Sequence, residues 1–186
     1  MRFLIVGVVA LTLASSGTAA FAQAPSPLPP EPDVLTFTPF IGPSFGGDLE
    51  SSPVSFGAAL GYGLTPKWVV EGELSLMPDA SEGDIIEFDA TVWGLSANLL
   101  YHFTADRVTP YVAAGLGILN AHADLEEVGL IGDDTSTEFG LNWGGGLKSA
   151  VNDQWGIRAD MRYFTGDELV PNHWRLYGGA VIELLR

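Results

Sequence analysis

Arg158, Asp160 and Arg162 stand two residues apart in the stretch Trp155 to Phe164, WGIRADMRYF. In an extended chain, residues two apart share a face, so these three form a plus–minus–plus row. Such a row can do one of two things. Matched by carboxylates on a facing strand, it forms an ion-pair lattice that plugs whatever space it faces. Left to water, it lines a selectivity filter or gate. The chain holds further charges on faces of the same kind: Glu71, Glu73, Glu138, Lys148, Arg175 and Glu183.

Other chemistry is thinly represented. The histidines are His102, His122 and His173, and no serine lies two residues from any of them. No Ser-His-acid arrangement is legible. His122 with Asp124 is a bare H-x-D. There is no cysteine, and no Cys/His spacing of a zinc site. The glycines alternate along strands rather than opening a helix as a phosphate loop does. The expectation is a protein that is not an enzyme and uses no cofactor. With 23 Asp and Glu against 8 Lys and Arg, no basic patch exists to neutralise phosphates, so nucleic acid is not expected as a partner. The densest acidic segment is Ala123 to Asp134, ADLEEVGLIGDD. Asp124, Glu126, Glu127, Asp133 and Asp134 are the residues a divalent cation would use there, although the D-x-D-x-D-G order of an EF-hand is missing. Two readings stay open: a solvated acidic surface, or carboxylates that hold Ca²⁺ or Mg²⁺ against lipopolysaccharide phosphates.

The elements that position these residues are short and alternating. Residues 1–22 read as a signal peptide: Arg2, an apolar run Phe3 to Ala14, and an A-x-A site at Ala20-Phe21-Ala22. Residues 23–33 form a Pro-rich lead, APSPLPPEP at its centre, unfit for helix or central strand. Residues 34–186 make the remaining domain. Hydrophobic residues are 47% of the chain, yet after the leader no run approaches the ~18 residues of a transmembrane helix. The apolar content is instead spread over eight period-2 segments. These are Val34 to Gly42, Val54 to Leu64, Trp68 to Met77, about Glu87 to Phe103, Pro110 to Leu119, Thr137 to Ala150, Trp155 to Phe164 and His173 to Leu185.

One face of each segment is apolar and the other is small or charged. In the fourth, Trp93, Leu95, Ala97, Leu99, Tyr101 and Phe103 share one face, while Gly94, Ser96, Asn98 and His102 share the other. Most segments have the ~9–11 residues a tilted strand needs to cross a bilayer. The apolar faces carry aromatic residues near both ends. Tyr62, Trp68, Tyr101, Phe103 and Trp155 lie near short turns, and Phe56, Phe139, Tyr163 and Trp174 lie near long connections. Trp93 and Trp143 sit deeper. Apolar faces with aromatic girdles, backed by polar faces, describe strands of a closed barrel in an outer membrane. A soluble lipocalin-type barrel would be charged outside. That inverts every strand and exposes the aromatics to water.

The expected fold is therefore all-β, an eight-stranded antiparallel up-and-down transmembrane β-barrel. Eight strands leave an interior just filled by side chains. Connections alternate between short turns (65–67, 104–109, 151–154) and longer acidic loops (43–52, 78–86, 121–136, 165–172) that contain no Lys or Arg. Short turns on the periplasmic side place both termini there. The inward charges then need partners. Glu71 and Glu73 on the third strand lie roughly across the barrel from Arg158 and Arg162 on the seventh. Glu138 and Arg175 flank Arg162 near the loop end, and Glu183 lies near Arg158 and Lys148 at the other. The expectation is an ion-pair network of these residues with Asp160.

On TPYVAAGLG at Thr109 to Gly117, WGIRADMRYF at Trp155 to Phe164 and WRLYGGAV at Trp174 to Val181, the chain resembles the small outer-membrane β-barrel family of the OmpA/OmpX type. The likeness runs from about Val34 to the end. It implies location in the cell outer membrane, contact with outer-membrane lipid and lipopolysaccharide, and insertion by the barrel-assembly machinery. Such barrels usually end in an aromatic residue read by that machinery, whereas this chain ends Glu183-Leu184-Leu185-Arg186. No peptidoglycan-binding domain is expected after the eighth strand. The expected function is a structural or surface-interaction role with a plugged lumen. The alternative is a narrow pore or transporter for small solutes or apolar compounds.

Overall fold

The computed structural model describes residues 31–49, 52–78, 90–104, 106–123, 134–165 and 172–185. The leader and most of the Pro-rich lead lie outside these residues, as do positions 79–89, 124–133 and 166–171.

Period-2 patterning makes strands, and every described element is one. They are β1 (Leu35–Phe45), β2 (Val54–Gly63), β3 (Trp68–Met77), β4 (Ala90–His102), β5 (Val108–Ala123), β6 (Asp134–Ala150), β7 (Trp155–Thr165) and β8 (His173–Leu185). Each pairs antiparallel with its sequence neighbours, and β8 returns to β1 to close the barrel. Closure leaves no strand edge, so the backbone polar groups of the wall pair within it, except at the irregular β1–β8 seam.

Three strands run further than the alternation suggests. β1 continues through Pro43 to Phe45, and β5 and β6 stay paired out to Ala123 and Asp134. A hairpin keeps its ladder for as long as two chains can stay in register, so pairing outlasts the apolar pattern. Ala121 to Ala123 and Asp134 to Ser136 of the expected loop 121–136 therefore belong to the ladder.

The register fixes the geometry of the wall. Starting at Leu35 and stepping across hydrogen-bonded partners, the path visits Tyr62, Val70, Leu99, Ala114, Trp143, Tyr163 and Trp174. It returns to β1 at Phe45, a stagger of ten residues from Leu35. Ten rises of about 3.3 Å over eight spacings of about 4.8 Å give a tilt of about 41°, inside the range for barrels. This stagger accounts for Trp143. Its row climbs toward the loop end, so its ring meets Tyr163 at 5.3 Å, and Tyr163 meets Trp174 at 5.0 Å. At the other end Trp68 packs on Tyr101 at 4.8 Å and Tyr101 on Phe103 at 5.4 Å.

The burial pattern is inside-out for a protein in water. Leu60, Leu116, Leu141 and Phe139 are 51%, 61%, 57% and 81% exposed on the outer face. Arg158, Arg162, Glu71 and Glu73 are buried at 2% or less. An apolar band this extensive belongs against lipid.

The β1–β8 seam is irregular. The β1–β2 register runs unbroken from Leu35 to Pro43, but that of β1 with β8 skips Thr38-Pro39 and Gly42-Pro43 and shifts between Leu35 and Thr36. Proline has no N–H for the ladder, so rungs are missing on one side of β1.

Candidate functional site

The lumen wall is uneven. β4, β5 and β6 present the small residues Gly94, Ser96, Gly115, Gly117, Gly140 and Gly144, and an added Cβ at any of these glycines would meet a neighbouring atom. β3, β7 and β8 present the long charged side chains. The stagger decides which of these meet. Glu71 joins by rungs through Asn98, Gly115 and Asn142 to Phe164. Half the circumference carries half the stagger, five residues, so Glu71 stands at the height of Ala159, between Arg158 and Asp160. Glu73, two residues on, stands at the height of Met161, between Asp160 and Arg162.

The contacts follow these heights. Arg158 Nη1 lies 2.5 Å from Glu71 Oε2, and its Nη2 lies 2.8 Å from Asp160 Oδ2. Arg162 bridges three carboxylates: Glu71 at 3.0 Å, Glu73 at 3.3 Å and Asp160 at 3.0 Å. Arg175 Nη2 donates to Glu73 Oε1. Three guanidinium groups thus face three carboxylates, and their charges cancel. Taking such ions out of water costs several kcal/mol each unless pairing and hydrogen bonding are complete. Here every carboxylate oxygen takes at least one donor, and Glu71 Oε1 and Asp160 Oδ2 take two or more; guanidinium forks suit that geometry.

Aromatic residues complete the cluster. Tyr111 donates its hydroxyl proton to Asp160 Oδ2 and accepts from Arg158 Nε at 2.6 Å. Tyr177 lies 5.5 Å from the Arg158 guanidinium carbon and 4.9 Å from that of Arg175. Beside the cluster, Asn142 Nδ2 donates to Asn98 Oδ1 at 2.9 Å. Alternation places all four residues inward but assigns them no part. The available signal was a phenol on a charged lumen face, where a buried hydroxyl must find a partner.

Of the other charged residues considered from the sequence, Lys148 and Glu183 line one void at the short-turn end with Glu31, Val34, Val69 and Val181. Lys148 also lies 5.5 Å from the Tyr111 ring centre. Glu138 is on β6 opposite Leu119, near the loop end. Glu138 and Glu183 are both engaged, although the cluster's ion pairs named above run among Glu71, Glu73, Arg158, Asp160, Arg162 and Arg175. The short-turn void measures about 470 Å³, counted to its open mouth. A void of about 290 Å³, also counted to its open mouth, lies on the loop side of the cluster.

Among the described residues no group of three or more His, Asp or Glu is placed to hold a metal ion. Asp124, Glu126, Glu127 and Asp133 lie outside the described residues, and Asp134 opens β6. His102 is fully buried at the short-turn end with its ring 5.3 Å from Tyr111. His173 stacks on Phe164 at the loop end. The two imidazoles are at opposite ends of the barrel and share no site.

A family described as the outer membrane protein beta-barrel domain matches residues 8–177. Among solved structures, the chain is similar to Neisserial surface protein A, at 19% identity and a TM-score of 0.65 over 81% of this chain and 97% of that one. It is similar to Ail, the attachment invasion locus protein of Yersinia pestis, at 16% identity and a TM-score of 0.58 over 83% of this chain and 99% of that one. The N-terminal barrel domain of Pseudomonas aeruginosa OprF gives 21% identity and a TM-score of 0.56 over 82% and 98%. At these identities the likeness is one of fold. No curated protein sequence matches.

Proposed function

The chain belongs to the outer membrane protein beta-barrel domain family, and from that premise we propose that it is a structural or surface-interaction barrel whose lumen is closed by the ionic cluster. Location in the outer membrane follows from the family and the fold. The plug is supported by one observation: Arg158 and Arg162 on β7 meet Glu71 and Glu73 from the opposite wall, and all four side chains are at most 2% exposed. Charges held this way leave no hydrated path through the middle of the barrel.

In this reading residues 1–22 are removed on export, residues 23–33 are a periplasmic lead, and both termini are periplasmic. Lipid and lipopolysaccharide surround the wall, and the barrel-assembly machinery inserts it. The long connections face outward and present an acidic surface without Lys or Arg. Divalent cations bridging that surface to lipopolysaccharide belong to the reading. No catalytic step does. Ail was crystallised with the heparin analogue sucrose octasulfate. Loops of this composition repel such a polyanion, so that ligand is not carried over.

The second reading, a narrow pathway for small solutes or apolar compounds, is favoured by the voids on both sides of the cluster. Liposome swelling separates the two. Proteoliposomes of the purified protein are expected to swell no faster in small sugars or amino acids than empty liposomes. Solute-dependent swelling would support the second reading. Fractionation with unheated and boiled gel samples tests the class itself: a heat-modifiable band in the outer-membrane fraction is expected.

A further inference from the structure

Arg175 ends the ionic cluster on the loop side, and its coordination is incomplete. Nη2 meets Glu73. The guanidinium is packed by Phe164, Phe40 and Tyr177, whose ring centres lie 4.5, 4.9 and 4.9 Å from its carbon. Its Nε is buried and has no hydrogen-bond partner among the described residues. Arg158 and Arg162, by contrast, use Nε to meet Tyr111 and Asp160. A buried charged donor without an acceptor is costly, so this edge of Arg175 calls for an oxygen from elsewhere.

Arg175 also lines the loop-side void of about 290 Å³. Met77, Val92, Leu119 and Phe164 form its apolar wall, and Ser75 contributes a hydroxyl. A second lobe, about 260 Å³ when counted to its open mouth, shares Ser75, Gly94, Leu119 and Phe164 with the first and extends down the glycine wall of β5 and β6. Among the described residues Arg175 is the one Lys or Arg lining either lobe, and neither lobe is lined by Asp or Glu.

We propose that this vestibule binds a small carboxylate with an apolar body. One carboxylate oxygen accepts the Arg175 Nε–H, with the Ser75 hydroxyl in the same void. The hydrocarbon part lies against Met77, Val92, Leu119 and Phe164. A concave apolar site with a few convergent polar groups is the usual form of a small-molecule pocket. The walls favour an anion that carries carbon over a bare one. The inference stands on the loop-side geometry and does not require that the lumen conduct.

Hexanoate is a suitable probe. The folded protein, ¹⁵N-labelled in lipid nanodiscs, shows an Arg175 Nε–H resonance identified by its loss in Arg175→Lys. Titration with hexanoate is expected to shift that resonance saturably, with half-saturation at about millimolar concentration, as suits a ligand of this size. Sodium chloride and hexanol are expected to leave it in place. Leu119→Trp fills the shared wall of both lobes, and should weaken the hexanoate response at least ~10-fold while the heat-modifiable folded band persists. The proposal is overturned if hexanoate gives no saturable shift. It is also overturned if chloride or hexanol gives the same shift, or if folded Leu119→Trp responds as wild type does.

Discussion

Arg158 Nη1 and Glu71 Oε2 lie 2.5 Å apart although their strands, β7 and β3, are on opposite walls of the barrel. Arg158 Nη2 adds a second bond to Glu71 Oε1 at 3.2 Å, so the pair is a two-pronged strut across the lumen. The strut exists because the ten-residue stagger sets Glu71 level with Ala159. A smaller stagger would set Glu71 opposite a different part of β7.

Arg158→Ala is expected to lower unfolding stability by about 3–5 kcal/mol, because it removes one of the two cations that Glu71 and Asp160 share and leaves uncompensated negative charge in a dry interior. Urea unfolding in liposomes, followed by tryptophan fluorescence, measures this. The pair Glu71→Ala with Arg158→Ala should cost less than the sum of the two single changes, since removing both partners leaves fewer stranded charges. Strict additivity would mean that the two residues do not act on each other.

Tyr111→Phe deletes the hydroxyl that donates to Asp160 and accepts from Arg158 Nε. The ring stays, so packing is kept. The expected loss is about 1–3 kcal/mol, read from the same urea midpoint. An unchanged midpoint would show that the phenol is only filler.

Two glycines should behave oppositely. A Cβ on Gly72 would meet nothing within 4 Å, whereas one on Gly115 would run into Asn98 Oδ1 and Asn142 Nδ2. Gly72→Ala, on the lipid face, is expected to lie within about 0.5 kcal/mol of wild type. Gly115→Ala should cost about 1–3 kcal/mol by splitting the Asn98–Asn142 bond and crowding the lumen. Comparing the two unfolding midpoints tests which face each residue occupies.

The β1–β8 seam is expected to exchange first. Rungs are absent from Thr38 to Pro39 and from Gly42 to Pro43, and the register shifts near Leu35, so the β8 amides opposite them, from Leu176 to Tyr177 and from Ala180 to Val181, have fewer partners to protect them. Native-state hydrogen exchange should show faster exchange there than in Leu95 to Tyr101 of β4, whose ladders are continuous on both sides. Equal protection all round the barrel would contradict this.

Much of the fold was legible because a period-2 pattern is a local property. Each strand announces its two faces, and the opposed faces of Trp155 to Phe164 cannot both be satisfied in water. The long extensions of β5 and β6 were not legible, because pairing beyond the apolar band leaves no hydrophobic trace. For the site, alternation puts Arg158, Glu71, Tyr111 and Tyr177 on the inner wall but says nothing of their heights. Heights depend on the stagger, which is a property of the closed ring and of eight registers at once. The grouping of Tyr111 with Asp160, and of Trp143 with Tyr163, therefore appears only once the barrel is closed. The acidic residues 124–133 lie outside the described strands, so their part in cation binding rests on composition alone.

Single-channel recording in planar bilayers tests the central claim most directly. Wild-type protein is expected to give no steady conductance, and Arg158→Ala with Arg162→Ala, if it still inserts, is expected to give openings that the wild type lacks. A steady ohmic conductance in the wild type that Arg158→Ala abolishes would contradict the plug, and would make the same residues the filter of a pore.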